Sequence, residues 1–188
     1  MPGEGDPTLW DLGLELEHAH PLVVHVHGQQ RHERGAEARA DEPLDGAAAV
    51  LVTSEAAATR LGLEPRGRFV SFGLSGVDPH RMLHGNPEAC RRALDRAGLA
   101  WDDVAVIEVN EAFASVVLQF AKDAGLEDRF DDINPNGGGI SLGHPLGATG
   151  ARVTATLLGE LDRREARYGV ACMCIGFGQA IAAAVERF

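Results

Sequence analysis

The sequence is poor in cysteine, in aromatic residues and in long apolar runs. Only three of its 188 residues are cysteines: Cys90, Cys172 and Cys174. So few thiols, in an odd number, argue against a disulfide framework and favour a reducing, cytoplasmic compartment. Aromatic residues make up 5% of the chain, so a core must be built mainly from Ala, Val, Leu and Ile. Such a core suits layered α/β packing, in which helices lie close on a sheet.

Positive charge is also scarce. The chain has 17 Lys and Arg against 28 Asp and Glu, for a net charge of −11. Nucleic-acid binding and binding to anionic membranes both require a basic patch, so we predict neither partner. No run of 18 apolar residues predicts a membrane-spanning helix. The acidic start of the chain, MPGEGDPTLWD, lacks the apolar core of a signal peptide.

Residues 1–42 differ from the rest of the chain. They hold five of the eight histidines and show no clear helical period, and this atypical composition leaves disorder open. His25 and His27 would share one strand face, and imidazoles on one face are able to bind zinc. No cysteine or carboxylate spacing completes a known site, so we predict no metal. The segment also resembles an out-of-frame reading of a GC-rich gene, a hypothesis that genome sequencing would test.

Residues 43–188 are predicted to form one layered α/β domain. Ser54 is expected to start a helix that Gly62 ends, and Gly98 to end a second helix. Hydrophobic periodicity predicts strands at 47–54, 68–74, 102–110, 168–175 and 179–188, and helices after Ser54, from Pro87 and at 111–124 and 151–164.

Two predicted strand ends carry polar residues with catalytic potential. Asn110 stands at a strand-to-helix junction, where open α/β sheets place ligand-binding groups, although a helix N-cap is the simpler explanation. Cys174 precedes the turn Gly176-Phe177-Gly178, which would present its sulfur to a cleft. A buried, inert cysteine is the ordinary case.

Two glycine-rich segments follow Asn110. The run NPNGGG at 134–139 permits positive φ and close backbone approach to a ligand, but a flexible loop has the same composition. The run GHPLGATG at 143–150 places His144 at a helix entrance, where the helix lowers the pKa of an imidazole and favours a neutral base at pH 7. A loop histidine without a catalytic role explains His144 equally well in isolation.

The joint order of these segments is more specific than any one of them. Asn-Glu-Ala-Phe, the glycine-rich loop, Gly-His-Pro-Leu-Gly-Ala-Thr-Gly and Cys-Ile-Gly-x-Gly resemble the C-terminal domain of the thiolases over about residues 43–188. The resemblance implies one half of a five-layer αβαβα architecture, a mixed sheet with flanking helices. It also implies acyl-CoA thioesters as substrates, no bound cofactor, and acyl transfer by 3-ketoacyl-CoA thiolysis or Claisen condensation in fatty-acid metabolism.

The resemblance assigns a role to each candidate residue. His144 would draw the proton from an acyl-accepting cysteine and donate a hydrogen bond to the thioester oxygen. Asn110 would hold the water that completes this oxyanion site. Cys174 would be the second acid/base, acting on the acetyl-CoA methyl group. Gly176 would lend its amide to the oxyanion hole at the acyl cysteine.

The chain also departs from the thiolase pattern. The half that carries the acyl-accepting cysteine is missing, and neither Cys90, in a predicted surface helix, nor Cys172, beside Cys174, replaces it. The CoA-contacting serine of the family is absent before Asp45, and Phe177 replaces a usual glycine. We expect an enzyme half that needs a homo-oligomer or a partner chain carrying the N-terminal half. The alternatives are a non-catalytic remnant that binds CoA or a partner, and a metal-binding accessory domain.

Overall fold

A single mixed sheet of six strands organises the chain. The computed structural model describes residues 22–30 by their backbone and residues 46–188 in full. The strand order is β2-β1-β3-β6-β5-β4, in which β4 and β5 run parallel and every other neighbouring pair runs antiparallel. The strands are β1 Leu22–Gln30, β2 Gly46–Thr53, β3 Gly67–Gly76, β4 Val104–Val109, β5 Tyr168–Gly176 and β6 Gln179–Arg187.

Helices cover both faces of the sheet. Those of the described chain are α1 Glu55–Leu61, α2 Asn86–Ala97, α3 Ala114–Ala124, α4 Gly139–Leu142 and α5 Thr149–Arg163, with 3-10 turns at Trp101–Asp103 and Glu127–Asp132. The apolar sides of α2 and α3 meet one face of the sheet, and α5 packs on the other. The mixed sheet with flanking helices confirms the predicted fold class. Strands β4, β5 and β6 are neighbours in this sheet.

Small side chains allow the helices to lie close on the sheet. A Cβ built at Gly73 of β3 would lie 2.0 Å from the carbonyl oxygen of Ala89 in α2. Ala89, Ala93 and Ala182 are all fully or almost fully buried at this contact between helix and sheet. A core with few aromatic residues therefore reaches its packing through close backbone approach rather than through large side chains.

Several predicted boundaries are confirmed, one is wrong and one short helix was missed. Ser54 caps α1 by accepting from the amide of Ala57 at 3.3 Å, and Gly62 and Gly98 end their helices in the left-handed conformation. The helix predicted at 111–124 begins only at Ala114, and the short helix α4 inside the glycine-rich stretch was not predicted. Both differences lie beside the candidate site, where backbone groups form hydrogen bonds with side chains instead of with other backbone groups.

Cys90 was wrongly placed on the surface. Its side chain is completely buried against the sheet, because Ala89, Cys90, Ala93 and Leu94 form the inner stripe of α2 while the arginines face outward. Strand β1 lies inside the segment 1–42, which was expected to be atypical. The rest of that segment, and the side chains of its histidines, lie outside the described residues.

Glu160 ties the end of α5 to the glycine-rich stretch. Its carboxylate accepts hydrogen bonds from Asn136 at 3.0 Å, from Arg163 and from Arg164 at 2.7 Å. The bond from Asn136 is the largest influence on the pKa of Glu160 and, with the two arginines, outweighs burial, so the pKa falls to about 2. Because the folded pKa lies below the unfolded value, this stabilisation is present above about pH 4.5 and is lost as the pH falls towards 2.

We predict that Glu160→Gln lowers the free energy of unfolding by about 1–3 kcal/mol at pH 7, since charge-assisted bonds are replaced by weaker ones. The difference between wild type and variant should shrink as the pH falls from 5 to about 2, where the wild-type carboxyl is protonated. Urea unfolding at several pH values measures this. The control is Glu165→Gln, which removes the same charge from an exposed position nearby. A pH-independent difference would contradict the assignment.

Candidate active site

Parallel pairing of β4 with β5 places Asn110 at the carboxyl edge of the sheet. Val109 pairs with Cys172, and the amide of Asn110 donates to the carbonyl of Cys172 at 3.0 Å. Asn110 does not cap α3, whose N-cap is Phe113. The simple capping explanation for Asn110 is therefore wrong, and its buried side-chain amide is available to another group.

That group is the imidazole of His144. Nδ2 of Asn110 lies 3.4 Å from Nε2 of His144, and Nδ1 of His144 lies 2.8 Å from the hydroxyl of Thr149. Thr149 opens α5, so the helix entrance positions the ring through a side chain as well as through the turn. Asn110, which is far from His144 in sequence, and Thr149, which is close to it, thus orient a half-buried imidazole.

The hydroxyl of Thr149 selects one tautomer of His144. It donates to the carbonyl of Pro145 at 3.0 Å, and a carbonyl only accepts. With its proton used there, the hydroxyl oxygen accepts from Nδ1–H of the imidazole. Nε2 then carries the lone pair and faces the Nδ2 amide of Asn110. A base is thereby prepared at Nε2, the nitrogen nearer to Asn110.

Burial keeps this imidazole neutral. Desolvation, and after it the positive charge of Arg152, lowers the pKa of His144 below the usual value of 6.5. Beneath the site, burial raises the pKa of Glu108 to about 8 even though Arg152 opposes the rise. Glu108 is 1% exposed and Arg152 5% exposed. At neutral pH a buried cation therefore disfavours an imidazolium, and Glu108, which keeps its proton, supplies no negative charge to offset it.

Cys174 occupies the same end of β5, two residues beyond the partner of Val109. Its side chain is 8% exposed and belongs to the apolar cluster under α2 and α3, and burial raises the pKa of its thiol. Such a thiol is protonated at neutral pH, so it suits a proton donor better than a nucleophile. The pairing register of β5 with β6 shifts between Cys174 and Gly176. Such a bulge is able to redirect a side chain.

The turn after Cys174 is held in an uncommon conformation. Gly176, Phe177 and Gly178 all have positive φ, at 128°, 49° and 82°. A Cβ at Gly178 would lie 2.2 Å from the carbonyl oxygen of Val77, whose amide donates to Gly178 at 2.9 Å. This contact with the end of β3 anchors the turn. The ring of Phe177 is 80% exposed.

The structure brings two of the predicted site residues into contact. Asn110 and His144 are in contact, and Gly176 follows Cys174 on the neighbouring strand. Within the described part of the chain, Cys174 has no hydrogen bond that links it to His144 or Asn110, so the convergence of all three stays a prediction. Sequence reasoning missed Thr149, although the Gly-Ala-Thr-Gly motif contains it. It also missed Glu108 and Arg152, for which the only signal was a charged residue within an otherwise apolar pattern. Among the described residues, no group of three or more His, Cys, Asp or Glu is arranged to hold a metal ion.

Comparison with known proteins decides the family. The family model described as "Thiolase, C-terminal domain" matches residues 63–187. The 3-ketoacyl-CoA thiolases of Citrobacter koseri and Klebsiella pneumoniae are 51% and 50% identical over 144 residues. The chain belongs to the thiolase family. The solved structures of Bacillus anthracis acetyl-CoA acetyltransferase and human mitochondrial 3-ketoacyl-CoA thiolase are 38% and 43% identical to this thiolase domain, each with a TM-score of 0.73.

This thiolase chain matches only part of its relatives. The two curated relatives align with 76% of the chain, but the aligned region is 37% of their own length. The two solved structures align with 78% and 77% of the chain and with 36% of theirs. The chain is therefore a partial thiolase. No helix in residues 46–188 has both the length and the apolar character that crossing a membrane requires.

We predict that His144 is neutral at pH 7 with its proton on Nδ1, which two-bond ¹H–¹⁵N spectra of the imidazole would show directly. Thr149→Val removes the acceptor of that proton while keeping the side-chain shape, so the Nε2–H tautomer should become populated. The matched control is Thr154→Val, whose hydroxyl makes a similar bond to Gly150 on the same helix, at 2.9 Å. Wild-type His144 with its proton on Nε2 would overturn the assignment.

Proposed function

We propose that the chain supplies the acid/base half of a thiolase, an acyltransferase that acts on acyl-CoA thioesters with no bound cofactor. The arrangement Asn110–His144–Thr149 carries the proposal, because it prepares a neutral base whose lone pair, on Nε2, lies at the carboxyl edge of the sheet beside Asn110. Thioester chemistry of this kind needs such a base beside a thiol, since the thiolate and not the thiol is the nucleophile.

The proposed steps use each residue for one proton or one charge. Nε2 of His144 takes the proton from a cysteine of the missing half as that sulfur attacks the 3-keto carbon. The negative charge on the thioester oxygen is stabilised by His144 and by a water held at Asn110. Cys174 gives its proton to the departing acetyl-CoA carbon, or removes one in the condensing direction. Free CoA then attacks the acyl cysteine and passes its thiol proton to Cys174, while His144 returns its proton to the departing cysteine sulfur. The amide of Gly176 stabilises the oxyanion that forms at the acyl carbon.

None of the three cysteines of this chain suits the nucleophilic role. Cys90 is fully buried, Cys172 is 2% exposed and Cys174 is 8% exposed. Burial raises the pKa of Cys172 and of Cys174, which opposes thiolate formation. The nucleophile is therefore not one of these three cysteines, and we propose that the N-terminal half of a thiolase supplies it.

An apolar groove beside α5 is the surface proposed for this partner. A cavity of about 260 Å³ lies between the first turns of α5 and strands β3, β5 and β6. Helix α5 leaves part of its sheet face open, and Ile181 in the groove is 39% exposed. The lining includes Phe69, Phe72, Val153, Met173 and Ile181. A partner that covers this groove would bury apolar surface next to the helix whose entrance carries His144.

A second candidate is a non-catalytic remnant that binds CoA or a thiolase-like partner. The buried state of all three thiols favours it, because the chain alone has no acyl acceptor. Self-association is the corresponding alternative for the groove. We also propose a reducing, cytoplasmic location, because three cysteines are too few for a disulfide framework.

Complementation separates these functions. The purified chain alone should not cleave acetoacetyl-CoA, whereas the chain mixed with the N-terminal half of the Citrobacter koseri relative should. His144→Ala should then lower kcat at least about 100-fold, the usual effect of losing a general base. Glu165→Gln, far from the site chemistry and exposed, is the control. Turnover by the isolated chain, or no turnover by any mixture that forms a complex, would contradict the proposal.

The groove gives a separate prediction. Ile181→Lys places a charge in the proposed contact, and its position is exposed enough for the chain to fold with it. It should weaken binding of the N-terminal half at least about tenfold, as for other apolar interface positions. Calorimetry measures the affinity, with Leu61→Lys as the control because Leu61 is 62% exposed on α1. Unchanged affinity in Ile181→Lys would exclude the groove as the binding surface.

A further inference from the structure

The carboxylate of Glu111, next to Asn110 in the chain, is used entirely within the protein. Oε1 accepts from Nδ2 of Asn134 at 2.8 Å, and Oε2 accepts from the amide of Ile140 at 2.9 Å. Ile140 lies in the first turn of α4, whose amides have no partner inside the helix. Because each oxygen already has a strong donor, Glu111 is poorly placed to exchange a proton with a substrate.

The glycines of the NPNGGG run fit this carboxylate. A Cβ built at Gly138 would lie 2.2 Å from Cδ of Glu111, and one at Gly139 would lie 2.9 Å from the carbonyl oxygen of Glu111. No side chain fits at either position unless Glu111 moves. The glycine run therefore lets the carboxylate lie directly against the backbone that leads to His144.

Two backbone hydrogen bonds and the chain itself connect this contact to the imidazole. The amide of Leu142 donates to Gly138 at 2.8 Å, and the amide of Gly143 donates to Gly139 at 2.9 Å. His144 follows directly, and its Nε2 meets the Nδ2 of Asn110. The two consecutive residues Asn110 and Glu111 thus hold the two ends of the segment 140–144.

We infer that Glu111 is a positioning residue, which together with Asn110 clamps the segment 140–144 and so sets the position and tautomer of His144. The clamp is a property of this chain by itself. Its importance for catalysis rests on the proposed function, and the experiment below is read from His144 without requiring turnover.

The wild-type chain gives the first measurement. Ile140 is 46% exposed, and an exposed amide without a partner exchanges rapidly with solvent. The clamp predicts that its amide is protected by at least about tenfold relative to an unstructured peptide, because a bond to a carboxylate is strong. An unprotected Ile140 amide in the folded chain would overturn the proposal without any variant.

Two variants then break the clamp in different ways. Glu111→Gln retains the shape but has only one accepting oxygen, so the donors of Asn134 and Ile140 are not both satisfied. Gly138→Ala retains the charge and displaces the carboxylate. Both should speed exchange at Ile140 at least about tenfold and raise the Nε2–H tautomer of His144. The control is Glu127→Gln, an exposed site that loses the same charge.

The pattern of results across the variants distinguishes a clamp from a simple charge effect. A shift in the pKa of His144 in Glu111→Gln alone, with its tautomer and the exchange at Ile140 unchanged, would show a charge effect and overturn the clamp. If Glu111→Gln does not fold, Gly138→Ala provides the same two readouts. In the complemented enzyme, the clamp predicts that Glu111→Gln lowers kcat more than it changes KM. Absence of turnover in the wild-type mixture would instead count against the proposed function and leave the spectroscopic result standing.

Discussion

The end of β4 is the constraint on which the candidate site depends. β4 is an edge strand, and the backbone of Val109 needs partners on its open side. Asn134 supplies both: its Oδ1 accepts from the amide of Val109 at 2.7 Å, and its Nδ2 donates to the carbonyl of Val109 at 2.9 Å. The amide of Asn134 also donates to Ile107 at 2.8 Å. One buried asparagine thus continues the sheet and fixes where the glycine-rich stretch begins, next to Asn110.

Asn134 meets this demand with a φ of 49°, a conformation that asparagine tolerates better than most residues with a side chain. From there the chain passes Glu111, forms α4 and reaches His144 beside Asn110. The polar surroundings of the imidazole are buried on both sides by the sheet and α5. The exclusion of water from this setting explains why His144 stays neutral while Glu108 keeps its proton, and it gives each hydrogen bond there a large influence on the geometry.

Local signals predicted most of the fold. The periodicity of 151–164 and the glycines at 62 and 98 identified helices and their ends, and the resemblance to the thiolases predicted the mixed sheet. Cys90 was misplaced because the helix sequence PEACRRALDRAG is dominated by its charges, although its small residues recur on one face. The start of α3 was placed too early because Asn110 and Glu111 are bound by groups distant in sequence. Asn134 and Ile140, the partners of Val109 and Glu111, lie 25 and 29 residues away, and no local pattern shows such contacts.

The account rests on one chemical claim, that an acid/base pair is assembled in the absence of the nucleophile. A crystal structure of the chain bound to an N-terminal half tests it through the distance from Nε2 of His144 to Sγ of Cys174. The account predicts that both atoms open onto one cleft, within a few ångströms of hydrogen-bond reach, with room for a substrate carbon between them. His144 and Cys174 on opposite faces of the sheet would contradict it.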